Sequence, residues 1–351
     1  MTQYKAVVYP LQYPLSMPEE RNITFNLIDA PGASQDSARL LTRVFYHHDK
    51  PTPKERLHPH HEPLFDNIIS KGTSDEDKAN AALIQVSIIL FEGGTGNWVK
   101  HVNTSYHFLR SAIQSPLTST VIPHITKAIR LDIMGAITTL EEPMCLDMIR
   151  YFLQPGSDIK MLESSMACEN VVVWGLAEAS ALAKWKRNQT ELAMSHLINQ
   201  GLNLEIAISS HEEWRGCAIA DQQRVHIAAI FRQAAILYVR SIVWENNPSI
   251  FEIAEPVRHL RLTFRDIESN NDVATFNCII RSTIFPIFLA ASLAREEEHF
   301  DYFLGLLARQ NGPGNCRPAE KMLRELRPLP LSVNTPVFWR ERLNEEQMLL
   351  V

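Results

Sequence analysis

The sequence predicts an all-α protein that begins with a proline-rich extended arm. Apolar residues recur at intervals of three and four from residue 75 to residue 309, which is the spacing of one helix face. The sequence contains no alternating run of polar and apolar residues long enough to indicate a strand. The chain has 351 residues, of which 45% are hydrophobic, so it is large enough to bury a sizeable core.

The predicted arm covers residues 1–72. Proline removes a backbone N–H and fixes φ, so a high density of proline forbids long helices. We therefore predict an extended segment with one short helix, over residues 37–47. His58, His60 and His61 could ligate a metal, but a solvated loop is favoured because no acidic residue or cysteine accompanies them at ligand spacing. The prolines of the arm are Pro10, Pro14, Pro18, Pro31, Pro51, Pro53, Pro59 and Pro63.

The helical domain is predicted to cover residues 73–351. Ser74 and Asp77 have the spacing of a capping box, which predicts the start of a helix that ends at the glycines of residues 93–96. Ser210 and Glu213 have a similar spacing and are expected to cap the helix that runs through residues 225–243. The other predicted helices cover residues 97–110, 123–140, 143–153, 158–187, 257–267 and 272–309.

Charge and cysteine content limit the classes of function. The 34 Lys and Arg against 40 Asp and Glu give a net charge of −6, which argues against a surface that neutralises nucleic-acid phosphates along the whole chain. The five cysteines include no C-x-x-C pair, which excludes a zinc site of the usual spacing. Their odd number and wide scatter are typical of a reducing compartment. We find no signal peptide and no uninterrupted apolar stretch of about 20 residues. We therefore expect a cytoplasmic protein without a membrane span.

Several segments together resemble the regulatory domain of fungal-specific transcription factors. No single segment is specific, but their order and spacing match over residues 75–343. The resemblance implies an irregular bundle of helices. In that family a zinc binuclear cluster of six cysteines normally precedes the helical part, and this sequence has no such cluster, so we expect no direct sequence-specific DNA binding. The matching segments are residues 90–109, 130–143, 174–185, 226–243, 285–307 and 337–343.

The same kind of domain is similar to fungal humulene-type sesquiterpene cyclases. That resemblance implies a farnesyl diphosphate substrate, Mg²⁺ and a basic side chain that holds the diphosphate. Asn271, Asp272 and Thr275 resemble the opening of the second metal motif of class I terpene cyclases. The acidic residue expected four positions later is replaced by Ile279. The alternative is structural, because Ser269 and Asp272 also have the spacing of a capping box.

Two arginines are candidates for binding the diphosphate. Arg281 lies in a mostly apolar helical segment, where a guanidinium must be paired, reach water or bind an anion. We therefore assign it the catalytic role of stabilising the leaving group, with a structural salt bridge as the alternative. Arg224 is the second diphosphate candidate, and Arg232 lies two turns further along the same predicted helix.

Acidic residues elsewhere are weaker candidates for metal binding. Glu297, Glu298 and Asp301 have the spacing of an aspartate-rich motif, but a solvated helix face is favoured. Glu169 and Asn170 could offer ligands together with Glu178, although helix capping also explains the first two.

The favoured function is a Mg²⁺-dependent sesquiterpene cyclase of fungal secondary metabolism, a carbon–oxygen lyase that acts on a prenyl diphosphate. The alternative is a fungal transcription regulator that lacks its own DNA-binding domain and binds an effector or a partner protein. The alternative would place the protein in the nucleus. The sequence is compatible with a homodimer under either hypothesis.

Overall fold

The structure, a computed structural model, confirms the all-α prediction. It describes residues 1–12, 18–47, 62–113, 121–153, 167–189, 193–210, 222–310, 314–327 and 337–351. Within these ranges every regular element is a helix, and the extended pairing consists of one isolated antiparallel bridge between Thr95 and Met348. The described residues group into an N-terminal unit of residues 1–132, 312–315 and 347–349, and a C-terminal unit of residues 133–311, 316–346 and 350–351.

The N-terminal unit is helical from its first residues, so the extended arm is wrong as a description of the described part of residues 1–72. Pro18 begins α2, Pro31 lies between α2 and α3, and Pro63 is the second residue of α4. At these positions the missing N–H of proline has no helical partner to lose. The predicted short helix is confirmed as α3. The histidines at positions 58, 60 and 61 lie outside the described residues. The elements are a π-helical turn at Tyr4–Val8, α1 at Tyr9–Gln12, α2 at Pro18–Asp29, α3 at Ala33–His47 and α4 at Glu62–Ser70.

Three longer helices complete the N-terminal unit. They are α5 at Asp75–Phe91, α6 at Trp98–Ile113 and α7 at Ile122–Thr139, the last of which continues into residues of the C-terminal unit. Helix α5 packs against α3 and α6 and buries most of its residues. The predicted cap is confirmed, because the Ser74 side chain accepts a hydrogen bond from the N–H of Asp77. The predicted stop is confirmed as well, since Gly93, Gly94 and Gly96 have positive φ, which glycine adopts without strain.

The carboxylate of Asp77 joins three segments of the N-terminal unit. It accepts backbone hydrogen bonds from Ala33 at 3.0 Å, from Ser34 at 2.8 Å and from Thr73 at 3.0 Å. Asp77, Ala33 and Ser34 are buried, so water cannot replace the carboxylate at the N–H groups of Ala33 and Ser34. The start of α3 and the start of α5 are therefore fixed to each other through one side chain.

The histidine at position 124 gives the N-terminal unit a predicted acid sensitivity. Its ring is fully buried, and neither ring nitrogen has a hydrogen-bond partner among the residues that the structure describes. Burial, together with the nearby charge of Lys127, lowers the pKa of His124 from 6.5 to about 3. Between these two pH values the unfolded chain takes up a proton that the folded chain does not, so stability falls as pH decreases.

The unfolding free energy of the wild type should fall between about pH 7 and pH 5, and about 2 kcal/mol of that fall should come from His124. We expect His124→Leu to lack this part of the fall. The measurement is urea unfolding of both proteins at the two pH values. The exposed His107 supplies the control, and His107→Leu should leave the pH dependence as it is in the wild type. Equal slopes for His124→Leu and the wild type would contradict the assignment.

The C-terminal unit is built around one apolar helix, α11, at Gln222–Val243. Helix α11 packs against α9, α10, α12, α13 and α14. It is the single unbroken helix in the described residues that is long and apolar enough to cross a membrane, and 61% of that stretch is buried inside the protein. The unit contains α8 at Leu146–Leu153, α9 at Asn170–Arg187, α10 at Met194–Ser210, α11 at Gln222–Val243, α12 at Phe251–Asn270, α13 at Val273–Ser282, α14 at Ile284–Ser292, α15 at Glu297–Ala308, α16 at Cys316–Leu326 and α17 at Trp339–Glu345.

Two helix predictions in this unit are wrong. Ser210 was expected to start a helix, but it is the last residue of α10, and its hydroxyl donates to the carbonyl of Ala207. The long helix predicted over residues 272–309 is divided into α13, α14 and α15. The first two form a 73° bend at Thr283. Pro286 is the third residue of α14, where its missing N–H is tolerated, so the chain bends just before it.

The segment around α17 closes the C-terminal unit. The indole of Trp339 is fully buried, and its Nε1 donates to Oδ1 of Asn246 at 3.1 Å. The buried Arg340 donates from Nε to the carbonyl of Ile137 at 2.9 Å and from Nη2 to that of Ala136 at 3.1 Å. A cation near the C-terminal carbonyls of a helix is favourable, so Arg340 both packs and caps the end of α7.

Candidate functional site

The three predicted metal ligands lie together at the junction of α12 and α13, where they hydrogen-bond to the protein itself. Asp272 is the N-cap of α13 and accepts from the backbone N–H and the hydroxyl of Thr275, both at 2.9 Å. The bond from the Thr275 N–H holds the pKa of Asp272 below its ordinary value. Asn271 donates from Nδ2 to the carbonyl of Ile267 at 2.8 Å, which satisfies an orphan carbonyl at the end of α12.

The capping alternative is confirmed, but with a different residue. Ser269 was expected to be the cap, yet it lies in the last turn of α12 and its hydroxyl donates to the carbonyl of Asp266 at 2.8 Å. Asp272 takes the capping role three residues later. The helix boundary was misplaced because both residues have side chains that suit an N-cap.

Arg281 does not lie on the apolar side of its helix. It is exposed at the end of α13, and its Nε donates to Oε1 of Gln310 at 2.9 Å. Gln310 in turn donates to Oδ1 of Asn277 at 3.0 Å. The guanidinium therefore reaches the surface and takes part in a hydrogen-bonded row between α13 and the end of α15.

The N-terminal turns of α11 lie against the junction of α12 and α13. Nε2 of Gln223 lies 2.8 Å from Sγ of Cys278, and Nε2 of His226 lies 3.4 Å from Nδ2 of Asn271. Burial lowers the pKa of His226. The second diphosphate candidate, Arg224, is buried in the first turn of α11. The structure thus brings the element that carries Arg224 next to the one that carries Arg281.

Four of the other charged candidates form ion pairs. Arg232 pairs with Glu169, which is the N-cap residue of α9 as capping predicts, although its carboxylate makes no capping bond. Glu178 receives two bonds from Arg150, at 2.6 and 2.9 Å. Glu298 pairs with Arg261, which lowers the pKa of this carboxyl. Within the described ranges no three His, Cys, Asp or Glu residues are grouped as a metal site requires.

The concave regions of the described part of the chain include an open groove and a small cavity. An open groove of about 550 Å³ lies along α6 in the N-terminal unit and is lined by Ile69, Asn97, Val99, Lys100, Asn103, Thr104, His107 and Phe108. A much smaller cavity lies in the C-terminal unit. The centre of a water molecule can occupy a volume of about 20 Å³ within it. Its wall includes Ser292 and Arg327, whose hydroxyl and Nε have no hydrogen-bond partner in the described structure. A cavity of this size and polarity suits a water molecule.

Helix α10 carries an exposed apolar face, which the sequence analysis missed. Met194, Leu202 and Ile206 are 43%, 51% and 63% exposed, and Ile198 is half-buried between them. These residues recur every fourth position, so they form one stripe along the outside of the helix. A stripe of exposed apolar side chains is a candidate contact surface for another molecule.

The described fold is a bundle of helices in which the three predicted metal ligands take part in helix capping and the predicted catalytic residue Arg281 hydrogen-bonds to Gln310. The profile of the fungal specific transcription factor domain matches residues 58–326. The chain therefore belongs to the fungal-specific transcription factor domain family.

Two curated relatives are transcription regulators. The trichothecene biosynthesis transcription regulator TRI10 of Trichoderma arundinaceum is 23% identical over 160 residues, which cover 44% of this chain and 35% of TRI10. The transcription factor ntnD of a Nectria species is 26% identical over 202 residues, which cover 51% of this chain and 32% of ntnD. The chain thus spans about a third of the length of each relative. No solved structure matches it.

These findings overturn the favoured function. The prediction of a sesquiterpene cyclase, and with it a carbon–oxygen lyase that uses magnesium, is wrong, because the family and the relatives are those of transcription regulators. The prenyl diphosphate substrate and the cytoplasmic location predicted for the enzyme have no support. Asn271, Asp272, Thr275 and Arg281 drew attention through their spacing, which helix capping and surface hydrogen bonding also produce.

Proposed function

We propose that this chain is the regulatory domain of a fungal transcription regulator and acts in the nucleus. The observation that carries the proposal is the family match over residues 58–326, which includes helices of both units. The role of TRI10 in trichothecene biosynthesis supports genes of a biosynthetic pathway as the target. The net charge of −6 supports regulation without direct contact of this domain with DNA.

The domain works through contacts with other proteins or copies of itself. The described structure supports this by what its surfaces offer. Helix α10 presents the exposed side chains of Met194, Leu202 and Ile206 to the outside, with the half-buried Ile198 between them. Protein interfaces use such apolar centres surrounded by uncharged and polar residues.

The proposal is tested by fusing the chain to a heterologous DNA-binding module in a fungal host that carries the matching reporter gene. The fusion should change reporter transcription relative to the module alone, and the chain without the module should leave the reporter unchanged. The tagged chain should also collect in the nucleus when expressed with its natural partners. A fusion that accumulates in folded form and leaves transcription at the level of the module alone would contradict the proposal.

A further inference from the structure

We infer that the outer face of α10 pairs with the same face of a second copy of this chain. The face is defined by Met194, Ile198, Leu202 and Ile206 and is called the α10 stripe below. The inference rests on the geometry of this helix, and it deepens the proposed function by naming one occupant for the surface of α10.

The core of the C-terminal unit fixes the stripe to the outside. Leu197, Leu204 and Ile208 are buried on the inner face of α10, which packs against α9 and α11. Gly201 lets the backbone approach α11 closely, because a Cβ at this position would lie 2.5 Å from Cγ2 of Val243. Rotation of α10 to bury the stripe would expose these residues, so the stripe has no place in the core that the described residues form.

The charge of the surface selects a second copy as the occupant. Among Lys, Arg, Asp and Glu, α10 contains Glu205 alone, and this carboxylate is paired with Nε of Arg240 at 3.0 Å. The exposed residues beside the stripe include Ser195, Asn199 and Asn203, which carry no formal charge. Two identical copies therefore meet without like charges facing each other, which would otherwise destabilise the pair. An acidic or basic partner would find no complementary charge on this face.

The four positions of the stripe are symmetric about position 200, so two copies of the helix can pair in antiparallel orientation. In an antiparallel pair with the two-fold axis at position 200, Ile198 of one copy faces Leu202 of the other, and Met194 faces Ile206. Each pair of facing residues in the interface is then apolar. Rows of residues at intervals of four pack against each other at about 50°, so the contact is centred on Ile198 and Leu202. A symmetric interface of this kind is the commonest form of protein dimer.

The size of the stripe sets the expected strength of the dimer. A helix of 17 residues is about 25 Å long. Its outer face is much smaller than the roughly 800 Å² per partner of a standard interface. The dimer should therefore dissociate in the micromolar range or above.

Sedimentation equilibrium of the full chain from about 1 µM to about 0.5 mM tests the inference. We expect a reversible monomer–dimer equilibrium for the wild type. Leu202→Glu should raise the dissociation constant at least about tenfold, because it places a charge at the centre of the interface. Val273→Glu is the matched control, since Val273 is 77% exposed on α13, and it should dimerise as the wild type does. Circular dichroism and melting curves should show that both variants fold.

The register has its own test. Ile198→Lys and Leu202→Glu should each be monomeric alone, and a mixture of the two should recover dimers, because these positions face each other in the antiparallel pair. A wild type that remains monomeric at the highest concentration would overturn the inference. Dimers that persist in folded Leu202→Glu would overturn it too, because they would form elsewhere. A monomer would leave the result of the reporter experiment unaffected.

Discussion

Replacing Trp339 with alanine is expected to lower the free energy of unfolding by about 3 to 5 kcal/mol. Its side chain is fully buried, with ring centroids 6.1 Å from Tyr238 and 6.4 Å from Phe288. The substitution leaves a cavity between α11, α14 and α17 that the surrounding helices can close only in part. It also removes the donor to Asn246. Guanidinium unfolding followed by circular dichroism measures the change.

The neighbouring residue provides the control. Phe338 is 60% exposed, so Phe338→Ala should change the unfolding free energy by no more than about 0.5 kcal/mol. A loss for Trp339→Ala that is as small as this would mean that the last helix contributes little to the C-terminal unit.

Asp77→Ala should lower the free energy of unfolding by about 3 to 5 kcal/mol. The substitution removes the acceptor of three backbone N–H groups, those of Ala33, Ser34 and Thr73. Hydrogen bonds to a charged acceptor are stronger than neutral ones, and donors left buried without a partner add their desolvation penalty. The measurement is the same unfolding experiment.

Asp75→Ala is the matched control for Asp77→Ala. Asp75 lies in the same first turn of α5 but is exposed, so its removal should affect only the weak interaction with the helix dipole, about 0.5 kcal/mol. Equal effects of the two substitutions would contradict the role given to Asp77 in joining α3 to α5.

The sequence predicts the helical class, the Ser74 cap and the glycine stop, because each depends on residues close together in the chain. It does not predict α10, and the reason is visible in the structure. Leu197, Leu204 and Ile208 face the core while the stripe faces outward, so apolar residues occur on two sides and no single face stands out. Gly201 in the middle weakened the helical signal further.

The candidate site was harder to predict than the fold. Arg281 has apolar neighbours in sequence, but only the structure shows that its side chain points to Gln310 and the surface. Asn271, Asp272 and Thr275 offer oxygen atoms at a spacing that serves a metal or a helix cap equally well. The choice depends on the partners of those oxygens, which are set by where α12 ends and α13 begins.

Residues 347–349 belong to the N-terminal unit but are synthesised long after residues 1–132. The N–H of Leu349 donates to the carbonyl of Gly94 at 2.8 Å, its carbonyl accepts from Asn315 at 2.7 Å, and the carbonyl of Gln347 accepts from Trp98 at 3.1 Å. During translation the segment of residues 1–132 therefore cannot form these hydrogen bonds until residues 347–349 have been synthesised. A premature stop codon a few residues upstream of Gln347 would leave the oldest part of the nascent chain incomplete.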